Sequence, residues 1–291
     1  MAKVAVIGEI IWDLFPDASF LGGAPLNFAV HSRRLGNEVM LVSAVGDDDL
    51  GREARARIVG MGLETDLVGV SRLETGTARV EIRPDGDTHF TIMRPAAYDD
   101  VELTDQHLRC LADWSPWDIY FGTLFASSES GHANLLRLFA AIPDARRFYD
   151  VNLRPGNDSP ELVLDLLARA NVVKLNESEL RTLQRFTELP DDPEGFCRVG
   201  AKRFGWEAAC LTFGARGCAV WVGEAYAEAP GVRITVADTV GAGDAFAAAF
   251  LHGLDCGWPA AKIAVFANRL GALVASRPGA IPDWRVEELG V

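Results

Sequence analysis

Short aliphatic and β-branched runs alternate with longer segments of helical period along most of this chain, and that alternation constrains the fold more than any other feature. Residues 4–7 read as a strand, 24–35 as a helix, 39–45 as a strand and 50–61 as a helix. Further strands are expected at 119–121, 148–151, 172–175, 209–213 and 219–222, with helical patterns between most of them. Strand, helix, strand in succession builds parallel pairs, and a parallel sheet must be covered on both faces. The expected fold is an α/β, three-layer α/β/α sandwich with a mainly parallel central sheet. Two stretches break the alternation, 10–20 and 76–93, the second reading as a β-hairpin with its turn at Pro84-Asp-Gly-Asp87. Together they are expected to form a small β-sheet lid. No repeat or linker divides the chain, so residues 1–291 read as one domain with the lid inserted in it.

With 49% hydrophobic residues the chain can bury a large core, while its formal net charge of −13 would repel nucleic acid and anionic membranes. An anionic ligand must therefore be held locally, and with arginine supplying most of the cations, Lys174 stands out as a lysine near candidate motifs. The five cysteines form no C-x-x-C pair and are odd in number, as expected of free thiols in a reducing, cytoplasmic setting. The opening Met1-Ala-Lys-Val-Ala-Val-Ile-Gly8 is soon interrupted by Glu9 and Asp13, and reads as a strand, not a targeting segment. No apolar run is long enough to span a bilayer.

The chemistry concentrates in Ala237-Asp-Thr-Val-Gly-Ala-Gly-Asp-Ala-Phe246, a glycine-rich turn running straight into an apolar-faced helix. Gly241 and Gly243 permit a tight turn, and free amides at a helix start with its positive dipole end make an anion site that suits phosphate. Asp244 lies at that same start. A carboxylate beside phosphate is repulsive unless it serves to take a proton from a nucleophile approaching phosphorus, the general-base role in phosphoryl transfer. A helix cap and a plain turn would account for G-x-G-D alone. Phe246 stands where G-x-G-x-x-G needs its third glycine, and no glycine precedes a lysine, so neither a dinucleotide fingerprint nor a P-loop is present.

In its longer context, Asp238-Thr-Val-Gly-Ala-Gly-Asp-Ala-Phe246 resembles the C-terminal signature of the ribokinase-like, or PfkB-type, carbohydrate kinases. Gly8-Glu-Ile-Ile-Trp-Asp13-Leu-Phe-Pro16 and Leu21-Gly-Gly-Ala-Pro-Leu-Asn27-Phe-Ala29 resemble the sugar-binding portion of the fructokinase branch. Asp150-Val-Asn-Leu-Arg154-Pro155, Lys174-Leu-Asn-Glu-Ser-Glu179 and Leu211-Thr-Phe-Gly-Ala-Arg-Gly217 resemble three more family motifs in order. The resemblance implies transfer of a phosphoryl group from ATP, with Mg²⁺, to a primary hydroxyl of a small sugar. Fructose comes first, then 2-keto-3-deoxygluconate, ribose or a nucleoside.

On this reading Asp244 is the base, and the amides of Gly241, Ala242 and Gly243 form the anion hole, with Arg154 steadying phosphate or sugar oxygens. Asp13, Gly22, Gly23 and Asn27 would meet the sugar, although a strand end and a glycine turn explain the same residues. Asp150 and Asn152, spaced with Arg154 at strand period, would face the cleft from one side. Asn176, Thr212, Gly214, Gly217 and Asn268 would border the nucleotide. The resemblance puts Glu179 near Mg²⁺ through water, while an N-cap with a capping acid fits it equally. Asp238 and the Val240 carbonyl would match a family site for a monovalent cation such as K⁺. Trp12, beside Asp13, is the tryptophan to check as a sugar platform; Arg79, Arg94 and Tyr98 are candidates for substrate choice; the histidines receive no role. A homodimer through the lid is expected by family analogy. A catalytically silent sugar or nucleotide sensor on the same fold and, more weakly, a dinucleotide oxidoreductase are the rival readings.

Overall fold

The computed structural model describes residues 1–82, 88–154, 156 and 158–290, and the side chains of these apart from 80–82 and 88–90. Its strands, in chain order, are β1 (Lys3–Ile7), β2 (Ile11–Leu14), β3 (Ser19–Gly22), β4 (Glu38–Gly46), β5 (Val68–Ser71), β6 (Gly76–Ile82), β7 (Thr88–Ile92), β8 (Asp118–Gly122), β9 (Arg146–Asp150), β10 (Val172–Asn176), β11 (Ala208–Thr212), β12 (Gly217–Val222) and β13 (Ala225–Pro230). The helices are α1 (Ala24–Arg34), α2 (Asp49–Gly60), α3 (Asp105–Trp114), α4 (Thr123–Ala126), α5 (Glu129–Ala141), α6 (Pro160–Arg169), α7 (Glu177–Thr187), α8 (Pro193–Phe204), α9 (Ala242–Asp255) and α10 (Ala260–Ala275).

Strand periodicity produces the layers. Along β1, Val4 and Val6 enter one apolar cluster and Ala5 and Ile7 the other; Phe148 and Tyr149, then Val172 and Val173, divide the same way. Helices α1, α2, α9 and α10 cover the first face, and α3, α5, α6, α7 and α8 the second. The sheet runs β13-β12-β11-β10-β9-β8-β1-β4-β5, parallel except where β12 and β13 turn back antiparallel. This is the sandwich expected from the alternation.

The two exceptional stretches do form a separate sheet, ordered β3-β2-β6-β7. The expected hairpin is the antiparallel pair β6–β7, with Ala78 opposite Ile92; its turn, Pro84 to Asp87, lies outside the described residues. The first stretch runs two residues further than expected, to Gly22, because β3 pairs with β2 as far as Ile11 opposite Gly22. Edge strands β5 and β13 were not anticipated. Val-Gly-Val-Ser is too short to show a period, and Ala-Tyr-Ala-Glu-Ala-Pro has too few large apolar residues to read as a strand.

The central sheet carries the site at its carboxyl edge, where β1, β9, β10 and β11 end, and α9 starts beside them. Helix α9 is buried almost all round, from Ala245 to Leu251, and Phe246 and Phe250 each contribute about 1.5–3 kcal/mol of burial that clamps its first turn in place.

Candidate active site

Helix α9 opens on Gly241, whose φ of 77° places it in the left-handed region. A Cβ there would stand 2.4 Å from the Ala280 carbonyl oxygen, so glycine is required on two counts. The Ala242 amide donates to Thr239 O at 3.3 Å and the Ala245 amide to Gly241 O at 2.9 Å. The amides of Gly241, Gly243 and Asp244 take no acceptor among the described residues. Of the amides expected from the glycine pattern, those of Gly241 and Gly243 are thus free to meet an anion, joined by that of Asp244, while the Ala242 amide is engaged.

Beneath it lies a cation. Lys174, buried in the middle of β10, donates to both carboxylate oxygens of Asp150, at 3.0 and 3.1 Å, and its Nζ is 3.3 Å from where a Gly243 Cβ would be. Burial alone would pull the Lys174 pKa down, but the carboxylates of Asp150, Glu179 and Asp244 outweigh it and hold the ammonium charged. The Tyr120 hydroxyl donates to Asp150 Oδ2 at 2.9 Å. This corrects the placement of Asp150 on the cleft wall: it is fully buried and its carboxylate is committed to Lys174 and Tyr120. The strand spacing that was to align Asn152 and Arg154 with it also fails, since β9 stops at Asp150 and Asn152 adopts a φ of 35°. Arg154 is exposed and donates to the neighbouring Leu153 carbonyl, while its charge is felt at Asp13, Glu9 and Asp244.

On the other side of Asp244, the acceptor-side residues converge. Asn27 Nδ2 donates to Asp244 Oδ2 at 2.8 Å, and a Cβ on Gly22 would stand 3.5 Å from Asn27 Oδ1 and 3.7 Å from Asp13 Oδ2. Gly23, with φ of 105°, turns the chain into α1 against the Glu9 carbonyl. Burial pushes the Asp13 and Asp244 carboxyls up to about 6 each, desolvation outweighing the cations nearby. Trp12 is no sugar platform. Successive strand residues face opposite ways, so with Asp13 toward the cleft, Trp12 is fully buried, donating to Leu50 O at 3.1 Å with Arg57 over its ring. Of the residues considered for substrate choice, Tyr98 is buried and Arg94 is paired with Asp99, with its charge felt at Glu9; Arg79 lies on β6 of the small sheet.

A cavity of about 950 Å³ opens on the far side of the turn. It is lined by Ala242, Gly243 and all five residues expected at a nucleotide: Asn176, Thr212, Gly214, Gly217 and Asn268. Thr212 ends β11 and Gly217 begins β12, so the hairpin and binding readings describe the same geometry. Val232, Ile234 and Val236, exposed elsewhere to solvent, give the cavity an apolar flank that sequence reasoning missed, because this loop carries no motif.

Glu179 shows the capping alternative in full: its Oε2 accepts from Asn176 N at 2.7 Å and its Oε1 from Leu153 N at 3.0 Å, while Asn176 Oδ1 accepts from Glu179 N at 3.0 Å. No group of three ligating side chains suited to a metal occurs among the described residues. With both its oxygens taken by backbone amides, Glu179 would meet a magnesium ion through water, the ion being held mainly by phosphate. Asp238 accepts from Val240 N and Gly279 N, each at 3.0 Å, fixing the loop before the anion hole.

One histidine does have a task. Trp284 Nε1 donates to His31 Nδ1 at 3.0 Å, so His31 Nε2 carries the hydrogen given to Ala280 O at 3.0 Å, and Ala280 is the residue against which Gly241 packs. Burial pushes the His31 pKa down to about 4, keeping the ring neutral. We expect His31→Leu to strand both partners and cost about 2–4 kcal/mol, read as a lowered midpoint in urea. Of the cysteines, Cys197, Cys210 and Cys218 are buried, Cys110 and Cys256 exposed, and none is paired. Among the described residues no helix is long and apolar enough to cross a membrane.

Comparison with known proteins bears on this geometry. The family described as pfkB family carbohydrate kinase matches residues 1–286 of the chain. Fructokinase from Escherichia coli is 31% identical over 300 residues, covering 96% of this chain and 95% of its own. Aminoimidazole riboside kinase from Salmonella typhimurium is 30% identical over 301 residues, covering 97% of this chain and 91% of its own. Among solved structures, 2-dehydro-3-deoxygluconokinase from Thermotoga maritima matches with a TM-score of 0.89 over 100% of this chain and 98% of its own at 19% identity, a likeness of fold.

Proposed function

The chain belongs to the pfkB family of carbohydrate kinases, phosphotransferases acting on an alcohol group, and from that premise we propose that it phosphorylates a primary hydroxyl of fructose at the expense of ATP. The observation that carries this reading is the position of Asp244. Its carboxylate takes a hydrogen bond from Asn27 on the acceptor side, while Ala242 and Gly243, just before it, line the 950 Å³ cavity on the other.

In this mechanism Asp13 and Asn27 orient the sugar so that one hydroxyl lies against Asp244, which takes its proton as the oxygen closes on phosphorus. A carboxyl pushed up to about 6 by burial is a better base than an ordinary aspartate, yet stays ionised at neutral pH. The amides of Gly243 and Asp244 stabilise charge growing on the phosphoryl oxygens, and Lys174 beneath them adds fixed positive charge in a site poor in water. Mg²⁺, when bound, supplies charge neutralisation at the phosphates, with Glu179 oriented behind its hydration shell. Asp238 and the Val240 carbonyl are the residues to hold a monovalent cation beside the anion hole. Sheet β3-β2-β6-β7 acts as a lid that excludes water from the transfer. Phe20 on β3, 50% exposed, and Met93 just past β7, 40% exposed, are apolar residues that a second copy would cover. The three buried free thiols suit a reducing, cytoplasmic setting.

Fructose is supported by Gly22-Gly-Ala-Pro-Leu-Asn27 and by the Escherichia coli relative. The test is ADP release from MgATP with fructose, 2-dehydro-3-deoxygluconate, ribose, glucose and adenosine. We expect the highest kcat/KM with fructose. A different winner reassigns the acceptor, and a protein that binds sugar and ATP but releases no ADP is a sensor instead.

A further inference from the structure

Three buried polar atoms near the acceptor side have no hydrogen-bond partner among the described residues: Glu9 Oε2, Asn27 Oδ1 and Tyr98 OH. They belong to one neighbourhood. Asn27 is bonded to Asp244, the Glu9 carboxylate interacts electrostatically with Asp244, Arg154 and Arg94, and Tyr98 with Glu9 and Arg94. Tyr98 packs its ring on Gly76, where β6 joins the small sheet, and the Glu9 backbone abuts Gly23. The orphaned atoms therefore sit where the small sheet meets the carboxyl edge of the large one.

Such a grouping has a cost that folding alone does not offset. A buried carboxylate oxygen without a partner is among the most unfavourable polar groups a protein can carry, and neutral orphans add to it. Burial accordingly pushes the Glu9 carboxyl up to about 7, the nearby Asp244 adding to it and the arginines opposing it. A ligand bringing several hydroxyls would satisfy all three, since each hydroxyl both donates and accepts. The charge around them narrows the ligand further. Asp13 and Asp244 stand on the same side as Glu9, and the two cations felt there, Arg94 and Arg154, are outnumbered by these three carboxylates and Asp99, so a ligand carboxylate would add to an excess of negative charge.

We propose that Glu9, with Tyr98, is a further acceptor-binding residue, its carboxylate taking a hydroxyl hydrogen from an uncharged polyol and disfavouring acidic acceptors. The proposal rests on the kinase reading above for its catalytic consequence, but not for binding itself.

Two variants and two readouts test it. Glu9→Gln should raise the acceptor KM by about 10- to 100-fold with the ATP KM unchanged, and leave the melting temperature without sugar as high as in wild type or higher. The wild-type preference in kcat/KM for the best uncharged sugar of the panel over 2-dehydro-3-deoxygluconate should narrow about tenfold in the same variant. Tyr98→Phe should raise the acceptor KM several-fold at unchanged melting temperature, and serves if Glu9→Gln does not fold. A wild-type KM in Glu9→Gln or, where that variant does not fold, in Tyr98→Phe would overturn the proposal, as would a wild type that prefers the acid. Failure of the kinase reading looks different: no acceptor yields ADP, yet fructose without nucleotide still raises the melting temperature of wild type more than of the variant. A wild type whose melting temperature no sugar raises overturns the binding role as well.

Discussion

Asp244→Asn should lower kcat by about 10²–10⁴-fold or more while leaving the affinities for sugar and nucleotide within a few-fold of wild type. The amide keeps the size of the carboxylate and can still face Asn27 across their 2.8 Å contact, so the acceptor pocket survives. What it cannot do is accept the proton. The amides of Gly243 and Asp244 are backbone groups and persist in the variant, so residual activity reports the anion hole and positioning alone. Equal losses in kcat and kcat/KM at unchanged binding would mark an interaction made only in the transition state.

Lys174→Met should have the largest effect on stability. Lys174 and Asp150 are both buried, joined at 3.0 Å, and removing the cation leaves a carboxylate with Tyr120 as its remaining side-chain donor. Breaking a buried pair from one side costs about 3–5 kcal/mol, or roughly 10 °C in melting temperature for a chain of this size. The double variant Lys174→Met with Asp150→Asn should recover most of that, because no uncompensated charge remains. It should not recover phosphoryl transfer, since the positive charge beneath Gly243 is still missing. A double variant restored in both would reduce Lys174 to a structural residue.

The layering of the fold was legible because two periods carry it: Val4 and Val6 against Ala5 and Ile7 divide the faces in the sequence as they do in the sheet. The glycine turn was legible because its cause is local, a left-handed Gly241 at the start of an apolar helix. What escaped depends on distance in the chain. Asp150 looked like a cleft residue until Lys174 and Tyr120, 24 and 30 positions away, claimed its oxygens. His31 meets Ala280 and Trp284 across 249 and 253 positions, and no spacing rule reaches that far. Trp12 was readable in principle, because a neighbour of the cleft-facing Asp13 on a strand must point the other way. Glu9 belongs to the Gly8–Pro16 motif, yet only its burial without a partner gives it chemical meaning. Glu179 remained open between cap and metal neighbour, and the structure shows the cap without removing the other role.

The pH dependence of kcat at saturating sugar and MgATP is the measurement that reaches the central claim most directly. Asp244 must be ionised to act as base, and its carboxyl is raised to about 6, so the rate is full above that value and falls as pH drops through it. Asp13→Asn and Glu9→Gln, which remove the other two carboxyls raised to about 6 and about 7 beside it, should retain the same limb. A rate that stays level down to pH 5, or a limb that disappears with either of those substitutions, would contradict Asp244 as the base.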